Sequence, residues 1–276
     1  MYSRVYVEIT NVCNKNCSFC HGTKRPPKRL SFDEFNKITD SLLGMTEYLY
    51  FHILGEPTMH PLLPDFIKCA AQKGFKTAIT TNGTLLKSKG EELINSGVYK
   101  VNISVHSFEE GSEQEQKEYL DNIINFADKS SNAGVLTVLR LWNKGFDGGE
   151  NKNIENYFRK SLSGEWHAGS RGVRIRNKLH LEYGDRFDWP DINAKEYSEN
   201  VFCYGLKDHF GILSDGSVIP CCLDSEGVIS LGNIFETPIK DILNTDRAKA
   251  IREGFKNRRA AENLCRRCGY ATRFNR

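Results

Sequence analysis

Apolar positions along residues 1–185 follow two periods in turn. Val5–Ile9, Tyr48–Ile53, Lys76–Thr80, Lys100–Val105 and Val135–Leu141 are short apolar or alternating runs of strand length. Between them, apolar residues recur at helical spacing, as in Phe35, Ile38 and Leu42, or Tyr119, Ile123 and Phe126. Helix starts are marked chemically. Ser31-Phe32-Asp33-Glu34 reads as a capping box, with Leu30 and Phe35 as its hydrophobic staple. Ser112 with Glu115 repeats the signal, and Glu113 suits the helix dipole there. Pro64 opens a helix that Gly74 closes, and a helix from about Thr84 to Ser96 ends at Gly97. A weaker helix covers Asn151–Ser163, and Val173–Arg176 and Leu179–Glu182 are strand-like. About six βα units predict an α/β fold whose parallel sheet closes partly, a partial (β/α)6 barrel. Chemistry in such a sheet gathers at the C-terminal ends of the strands.

The pattern changes after residue 186. Phe210–Leu213 and Val218–Cys222 flank Asp215-Gly216, a hairpin signal, and one or two short helices lie between Thr237 and Gly254. The expected organisation is a barrel domain over 1–185 and a small cysteine-bearing extension over 186–276.

Composition narrows the class. The 276 residues, 39% hydrophobic with 30 aromatics, can bury a substantial core, which excludes whole-chain disorder. No apolar run approaches the roughly 20 residues of a membrane span. The first 20 residues hold Glu8, three Asn and three Cys, unlike a signal peptide. A cytoplasmic protein without a membrane partner is expected. A net charge of +3 is too small to imply nucleic acid. The charge is uneven, however: residues 256–276 carry seven Lys/Arg against Glu262 alone. That tail suits a solvated face, an acidic protein partner, an anionic cluster or RNA. For single-stranded RNA it offers only Tyr270 and Phe274 as stacking platforms, so nucleic acid is not favoured.

Eight of the nine cysteines fall in two groups, and grouped cytosolic cysteines bind metal more often than they form disulfides. Cys13-Asn14-Lys15-Asn16-Cys17-Ser18-Phe19-Cys20 follows the first strand directly, at the functional end of the sheet. Three thiolates on a [4Fe–4S] cluster would leave one iron open to a small molecule. A zinc site completed by His21 has the same spacing. Cys69, alone in a helix beside Phe66 and Ala70, reads as a small buried hydrophobe.

CxxxCxxC after the first strand of a βα barrel resembles the radical S-adenosylmethionine (SAM) superfamily, and further segments match in order. The resemblance implies that Cys13, Cys17 and Cys20 hold a [4Fe–4S] cluster with an open iron, and that one electron cleaves bound SAM to a 5′-deoxyadenosyl radical. It implies that Phe19 lies against the adenine. Gly55-Glu56-Pro57 looks like the GGEP motif, with Leu54 in place of its first glycine. Gly55 and Glu56 would then hold the SAM amino group. Thr81-Asn82-Gly83 looks like the TNG segment, which makes Asn82 a SAM contact. Ser104 would reach the ribose or carboxylate, and Arg140 would grip the carboxylate. His106, two residues past Ser104, reads as a candidate proton acceptor.

Cys203, Gly216-x4-Cys221 and Cys265-x2-Cys268, with Gly232-Asn233-Ile234, resemble the twitch/SPASM extension of the superfamily. Four thiolates there imply one auxiliary [4Fe–4S] cluster; a zinc knuckle is the alternative. Cys221 and Cys222 point to opposite faces of a strand, so Cys222 is expected to be spare. The plan resembles the 2-deoxy-scyllo-inosamine dehydrogenase type. That implies hydrogen abstraction from a small polar molecule in a two-electron oxidation, with flavodoxin or ferredoxin as electron donor. A maturase of a ribosomal peptide is the alternative, although only 12 residues precede Cys13, too few for an N-terminal peptide-recognition domain. An RNA-binding or RNA-modifying protein is a third reading.

Overall fold

The computed structural model describes residues 1–274; Arg276, counted in the basic tail, lies outside them. Strands and helices alternate through the first half. They are β1 (Arg4–Val7), α1 (Phe32–Ser41), β2 (Tyr48–Tyr50), α2 (Leu63–Gln72), β3 (Lys76–Thr81), α3 (Leu86–Asn95), β4 (Lys100–Ser104), α4 (Glu113–Asn132), β5 (Leu136–Lys144) and α5 (Glu150–Ser161). Then follow β6 (His167–Gly169), β7 (Gly172–Arg176), β8 (Leu179–Asp185), β9 (His209–Ile212), β10 (Val218–Ile219), α6 (Ile239–Leu243), α7 (Asp246–Lys256) and α8 (Asn263–Arg266). Both capping boxes form. The Ser31 and Ser112 hydroxyls accept from the Glu34 and Glu115 N–H at 3.2 and 3.3 Å. The two glutamates accept in return from the serine N–H at 2.8 and 2.7 Å.

All ten strands form one sheet in the order β10-β9-β1-β2-β3-β4-β5-β8-β7-β6. It is parallel from β9 to β8 and antiparallel at both margins. The segment 172–185 is therefore a hairpin, not two further βα units, and β8 alone extends the parallel sheet from it. The late hairpin also departs from a simple appendage. Its strand β9 pairs with β1 from Arg4↔His209 to Val7↔Ile212. This covers an edge of β1 that would otherwise be open. β4 ends at Ser104 because residues 105–107 wind into a 3-10 turn. His106 therefore leaves the strand register that alternation assigns to it.

Alternate residues separate the two faces. Val5, Val7, Leu49, Ile79, Val101, Ile103, Leu139 and Leu181 join Phe35, Ile38, Phe66 and Phe126 in the main core under the helices. The other face is polar: Arg4, Tyr6, Tyr50, Asn102, Ser104, Arg140, His180 and Glu182. On a flat sheet β5 would stand about 19 Å from β1. Yet Tyr6 and Tyr50 act electrostatically on Arg140, so the sheet curls around this polar face.

Candidate functional site

The loop after β1 carries the first cysteine group. Cys13 is exposed, and Cys17 and Cys20 are half-buried. The three lie within one another's field. Burial, then Glu109, Cys13 and Cys20, push the Cys17 thiol up to about 11. Several elements hold the loop. The Ser18 N–H and hydroxyl donate to the Glu109 carboxylate at 2.6 and 2.5 Å. Arg186 donates to the Ser18 carbonyl at 2.8 Å, and the Trp189 indole to the Phe19 carbonyl at 2.9 Å.

Glu8 and Arg25, which motif reading passed over, lock this loop to the rest of the site. Glu8 is fully buried on β1's inner side. It accepts from both terminal nitrogens of Arg25 at 2.8 and 2.7 Å. It also accepts from the Ser214 N–H at 3.2 Å, the Ser214 hydroxyl at 2.9 Å and the Leu54 N–H at 3.4 Å. One carboxylate thus joins the cysteine loop, the loop after β2 and the turn of the β9–β10 hairpin. A glutamate inside the apolar run Val5-Tyr6-Val7-Glu8-Ile9 was the available signal.

The loop after β2 runs close beneath the cysteine loop. Gly55 has φ +77, and a Cβ there would strike the Thr10 carbonyl oxygen. The Glu56 N–H donates to the Val12 carbonyl at 2.8 Å. The Glu56 carboxylate is buried, which raises its pKa despite its hydrogen bonds. It accepts from the Thr58 hydroxyl at 2.6 Å, the Thr58 N–H at 3.1 Å and the Asn82 N–H at 2.6 Å. The Thr81 hydroxyl adds a further hydrogen bond, so the roughly four acceptor positions of the carboxylate are filled within the protein. Asn82 bridges the two loops: its amide donates to Asn14 at 2.8 Å and stands 4.0 Å from the Cys13 sulfur.

Ser104, Arg140 and Glu182 stand side by side in register on β4, β5 and β8. The Arg140 guanidinium lies over Trp142 at 4.3 Å and 3.7 Å from Glu182. Its buried Nε has no hydrogen-bond partner among the described residues. His106 is buried, with Nδ1 3.0 Å from the Arg140 carbonyl and 3.3 Å from the Trp142 N–H. Its ring packs on Phe19 at 4.7 Å. Burial lowers its pKa, so the ring is neutral near pH 7.

The second cysteine group gathers around the hairpin. Cys203, the adjacent Cys222, Cys265 and Cys268 all act on Cys221. Cys203, Cys221, Cys265 and Cys268 are all half-buried, and burial pushes each thiol up. β10 ends at Ile219, so Cys221 and Cys222 lie in the turn after it rather than on a strand as alternation assigns; Cys222 has different neighbours. It packs with Tyr6, Ile53, Leu213 and Ile219 and hydrogen-bonds Tyr6. Gly216, φ +89, turns the hairpin where a Cβ would strike Phe235 and lie 2.5 Å from Asn233 Oδ1. The basic tail is partly consumed here: Arg266 pairs with Glu199 at 3.2 Å and Arg267 with Glu196 at 3.0 Å. Arg273 donates to the Asp185 carbonyl at 2.7 Å.

Among the described residues, no three His, Cys, Asp or Glu side chains are placed to hold a single metal ion. His21, the other candidate fourth ligand, is 2.9 Å from the Ser225 hydroxyl and packs on Trp189 at 4.7 Å. For SAM, the buried Glu56 carboxylate and the Arg140 guanidinium, whose Nε is 3.7 Å from Glu182, are opposite in charge to its ammonium and carboxylate.

Residues 7–144 match the family model of the radical SAM superfamily, and residues 203–269 match an iron-sulfur cluster-binding (SPASM) domain. A probable GTP 3′,8-cyclase of Sulfolobus acidocaldarius is 26% identical, over 91% of this chain and 90% of that protein. The fold is similar to that of BtrN in complex with AdoMet and 2-DOIA, with a TM-score of 0.64 at 18% identity over 97% of this chain and 93% of that one. It is also similar to Streptococcus suis SuiB bound to S-adenosylmethionine, with a TM-score of 0.62 at 16% identity over 100% and 75% of the two chains. With half its length matched by the superfamily model and cysteine loop, Gly-Glu-Pro loop and curled sheet in place, the chain belongs to the radical SAM superfamily and is an enzyme of it.

Proposed function

We propose that this enzyme cleaves SAM reductively and takes hydrogen from a small polar molecule in a net two-electron oxidation. One observation carries the reading. The turn that follows β10 carries Cys221, near Cys203, Cys265 and Cys268, and Cys222, packed against Tyr6 on the polar face of the sheet. The expected auxiliary site thus borders the place where a substrate would lie. When bound, the cluster on Cys13, Cys17 and Cys20 with SAM supplies a 5′-deoxyadenosyl radical, and the auxiliary cluster on Cys203, Cys221, Cys265 and Cys268 supplies an acceptor for the second electron.

The chain's own side chains have distinct tasks in this reading. Glu56, oriented by Thr58, Thr81 and Asn82, offers its negative charge to the SAM ammonium. Arg140 and Ser104 take the carboxylate and ribose, and Phe19 lies against the adenine. His106, bonded to β5 and packed under Phe19, fits a positioning role better than proton transfer. A peptide substrate is the second reading. It is supported by the fold likeness to SuiB, one structure of which contains the precursor peptide SuiA.

Flavodoxin or ferredoxin is the proposed electron donor. Because Arg266, Arg267 and Arg273 are engaged internally, we assign its docking to the exposed Lys256, Arg258 and Arg259. Reversing these three to Glu should slow flavodoxin-driven turnover and spare the dithionite-driven reaction. The function itself is tested by anaerobic incubation with dithionite and SAM. The wild type should release 5′-deoxyadenosine, and the Cys13/Cys17/Cys20→Ala variant should release none. Equal release by both would overturn the proposal.

A further inference from the structure

Between β8 and β9 the chain runs through residues 186–208 without forming a helix or a strand. A structureless connection of this length is uncommon in a compact domain. This connector is held at two places, each beside a pair of cysteines. At the first, Arg186 donates to the Ser18 carbonyl at 2.8 Å and Trp189 to the Phe19 carbonyl at 2.9 Å. The His21 ring packs edge-on against Trp189 at 4.7 Å. Ser18 and Phe19 are the two residues between Cys17 and Cys20. At the second, Arg267 donates to the Ala194 carbonyl at 2.9 Å and pairs with Glu196 at 3.0 Å. The Tyr197 N–H donates to the Arg266 carbonyl at 2.9 Å. Arg266 and Arg267 are the two residues between Cys265 and Cys268. The two places are tied together, since the Tyr197 hydroxyl donates to the Asp188 carboxylate at 2.6 Å. Gly269, next to Cys268, lies so close that a Cβ there would stand 2.9 Å from the Asp188 carbonyl oxygen.

Peptide planarity makes the first pair of contacts act on Phe19. The Ser18 carbonyl belongs to the peptide plane before the Phe19 Cα, and the Phe19 carbonyl to the plane after it. Fixing both planes fixes φ and ψ of Phe19, and with them the direction in which its side chain leaves the backbone. The ring then rests on His106 at 4.7 Å. Ser18 is exposed, and water would satisfy its carbonyl; what a protein donor adds is orientation. A ring already oriented loses less freedom when a ligand settles on it.

We infer that Arg186, Trp189 and Arg267 are positioning residues for SAM: the connector carries a contact made beside Cys268 to the peptide planes of Phe19, so SAM affinity at the first cysteine loop depends on a residue of the extension. The hydrogen bonds and ion pair of Arg267 go to Ala194, Asn263 and Glu196, and none goes to that loop. It acts through the connector. The inference rests on the proposed placing of the SAM adenine against Phe19.

The test is equilibrium dialysis of SAM against the anaerobically reconstituted protein, with iron assayed on the same samples. Trp189→Phe keeps a ring for His21 and loses the donor. Its dissociation constant for SAM should rise about fivefold, with roughly eight irons per chain retained. Arg186→Met should weaken SAM about tenfold, and Arg186→Lys should return to within about threefold of wild type. Arg267→Met should weaken SAM about threefold. Combined with Trp189→Phe it should add nothing further, because both interrupt one connection. Arg247→Met removes an ion pair of the extension, with Glu262 at 2.7 Å, that does not involve the connector, and should bind SAM as the wild type does. Unchanged affinity in Trp189→Phe and Arg267→Met, additive losses in the double variant, or an equal loss in Arg247→Met would overturn the inference. If Trp189→Phe or Arg267→Met loses iron, Arg186→Met or Glu196→Gln takes its place, with the same outcomes. Phe19→Ala reports separately on the placing of the adenine: full SAM affinity in that variant would overturn the placing, whatever the connector variants show.

Discussion

At the residue scale, Glu56 and Glu8 are both buried carboxylates but play different parts. Glu56 is held by Thr58, Asn82 and Thr81 and would meet a SAM ammonium by exchanging one of these bonds. Glu56→Gln exchanges one acceptor for a donor, which would face either Asn82 or the SAM ammonium. SAM affinity should fall about tenfold or more, with iron content unchanged, by equilibrium dialysis and iron assay. Loss of iron with normal SAM affinity would make Glu56 structural. Glu8 has no such role. Arg25→Met leaves its carboxylate buried without its main partner, a change that costs about 3–5 kcal/mol. The midpoint of denaturant unfolding should drop accordingly; an unchanged midpoint would show that the pair does not stabilise the site. The contrast also explains what could be read in advance. Cys13, Cys17, Cys20 and Glu56 sit in motifs whose spacing encodes their chemistry. Glu8 and Arg25 meet only through the folded loop, and no local spacing announces that.

At the scale of elements, alternation and turn chemistry carry the hairpin. Gly216 permits the turn, and the returning strand ends at Ile219, so the turn after it, not strand alternation, directs Cys221 and Cys222 to different surroundings. Cys222→Ala should keep roughly eight irons per chain, whereas Cys221→Ala should fall towards four. The reverse pattern would make Cys222 the ligand. Gly216→Ala should also fall towards about four irons, because the closure of the hairpin on Asn233 and Phe235 positions Cys221. Retention of both clusters in this variant would show that the turn tolerates a Cβ. The helices were legible for a related reason: capping boxes at Ser31 and Ser112 are local, and both form. The pairing of β9 with β1 was not legible, because it joins residues some 200 positions apart and strand patterns do not name their neighbours. Likewise, Val173–Arg176 and Leu179–Glu182 had strand character, but their antiparallel direction is set by the turn at Lys178, φ +62.

For the whole molecule, the polar face is made by curling. Arg140 on β5 and His52, which follows β2, come near each other because β5 is brought towards β1 and β2. Acid stability should report on this arrangement. Burial holds the folded His52 at about 3, below the usual histidine value of 6.5. A base with a lowered folded pKa favours the folded state above its unfolded pKa, and that contribution is lost as pH falls from about 6.5 towards 3. Between pH 6.5 and 5, His52 alone should remove roughly 1–2 kcal/mol. His52→Gln should flatten the decline in unfolding free energy over that interval, as read by denaturant titration of wild type and variant. An identical slope in both would show that His52 is not the responsible group.

The central claim is that Cys13, Cys17 and Cys20 create an iron open to SAM, while the late cysteines form a separate saturated site. Electron paramagnetic resonance of the dithionite-reduced Cys265/Cys268→Ala variant tests it most directly, because only the first cluster should remain. Adding SAM should shift that spectrum, since a new ligand enters the iron's coordination. A reduced cluster whose spectrum is the same with and without saturating SAM would contradict the account.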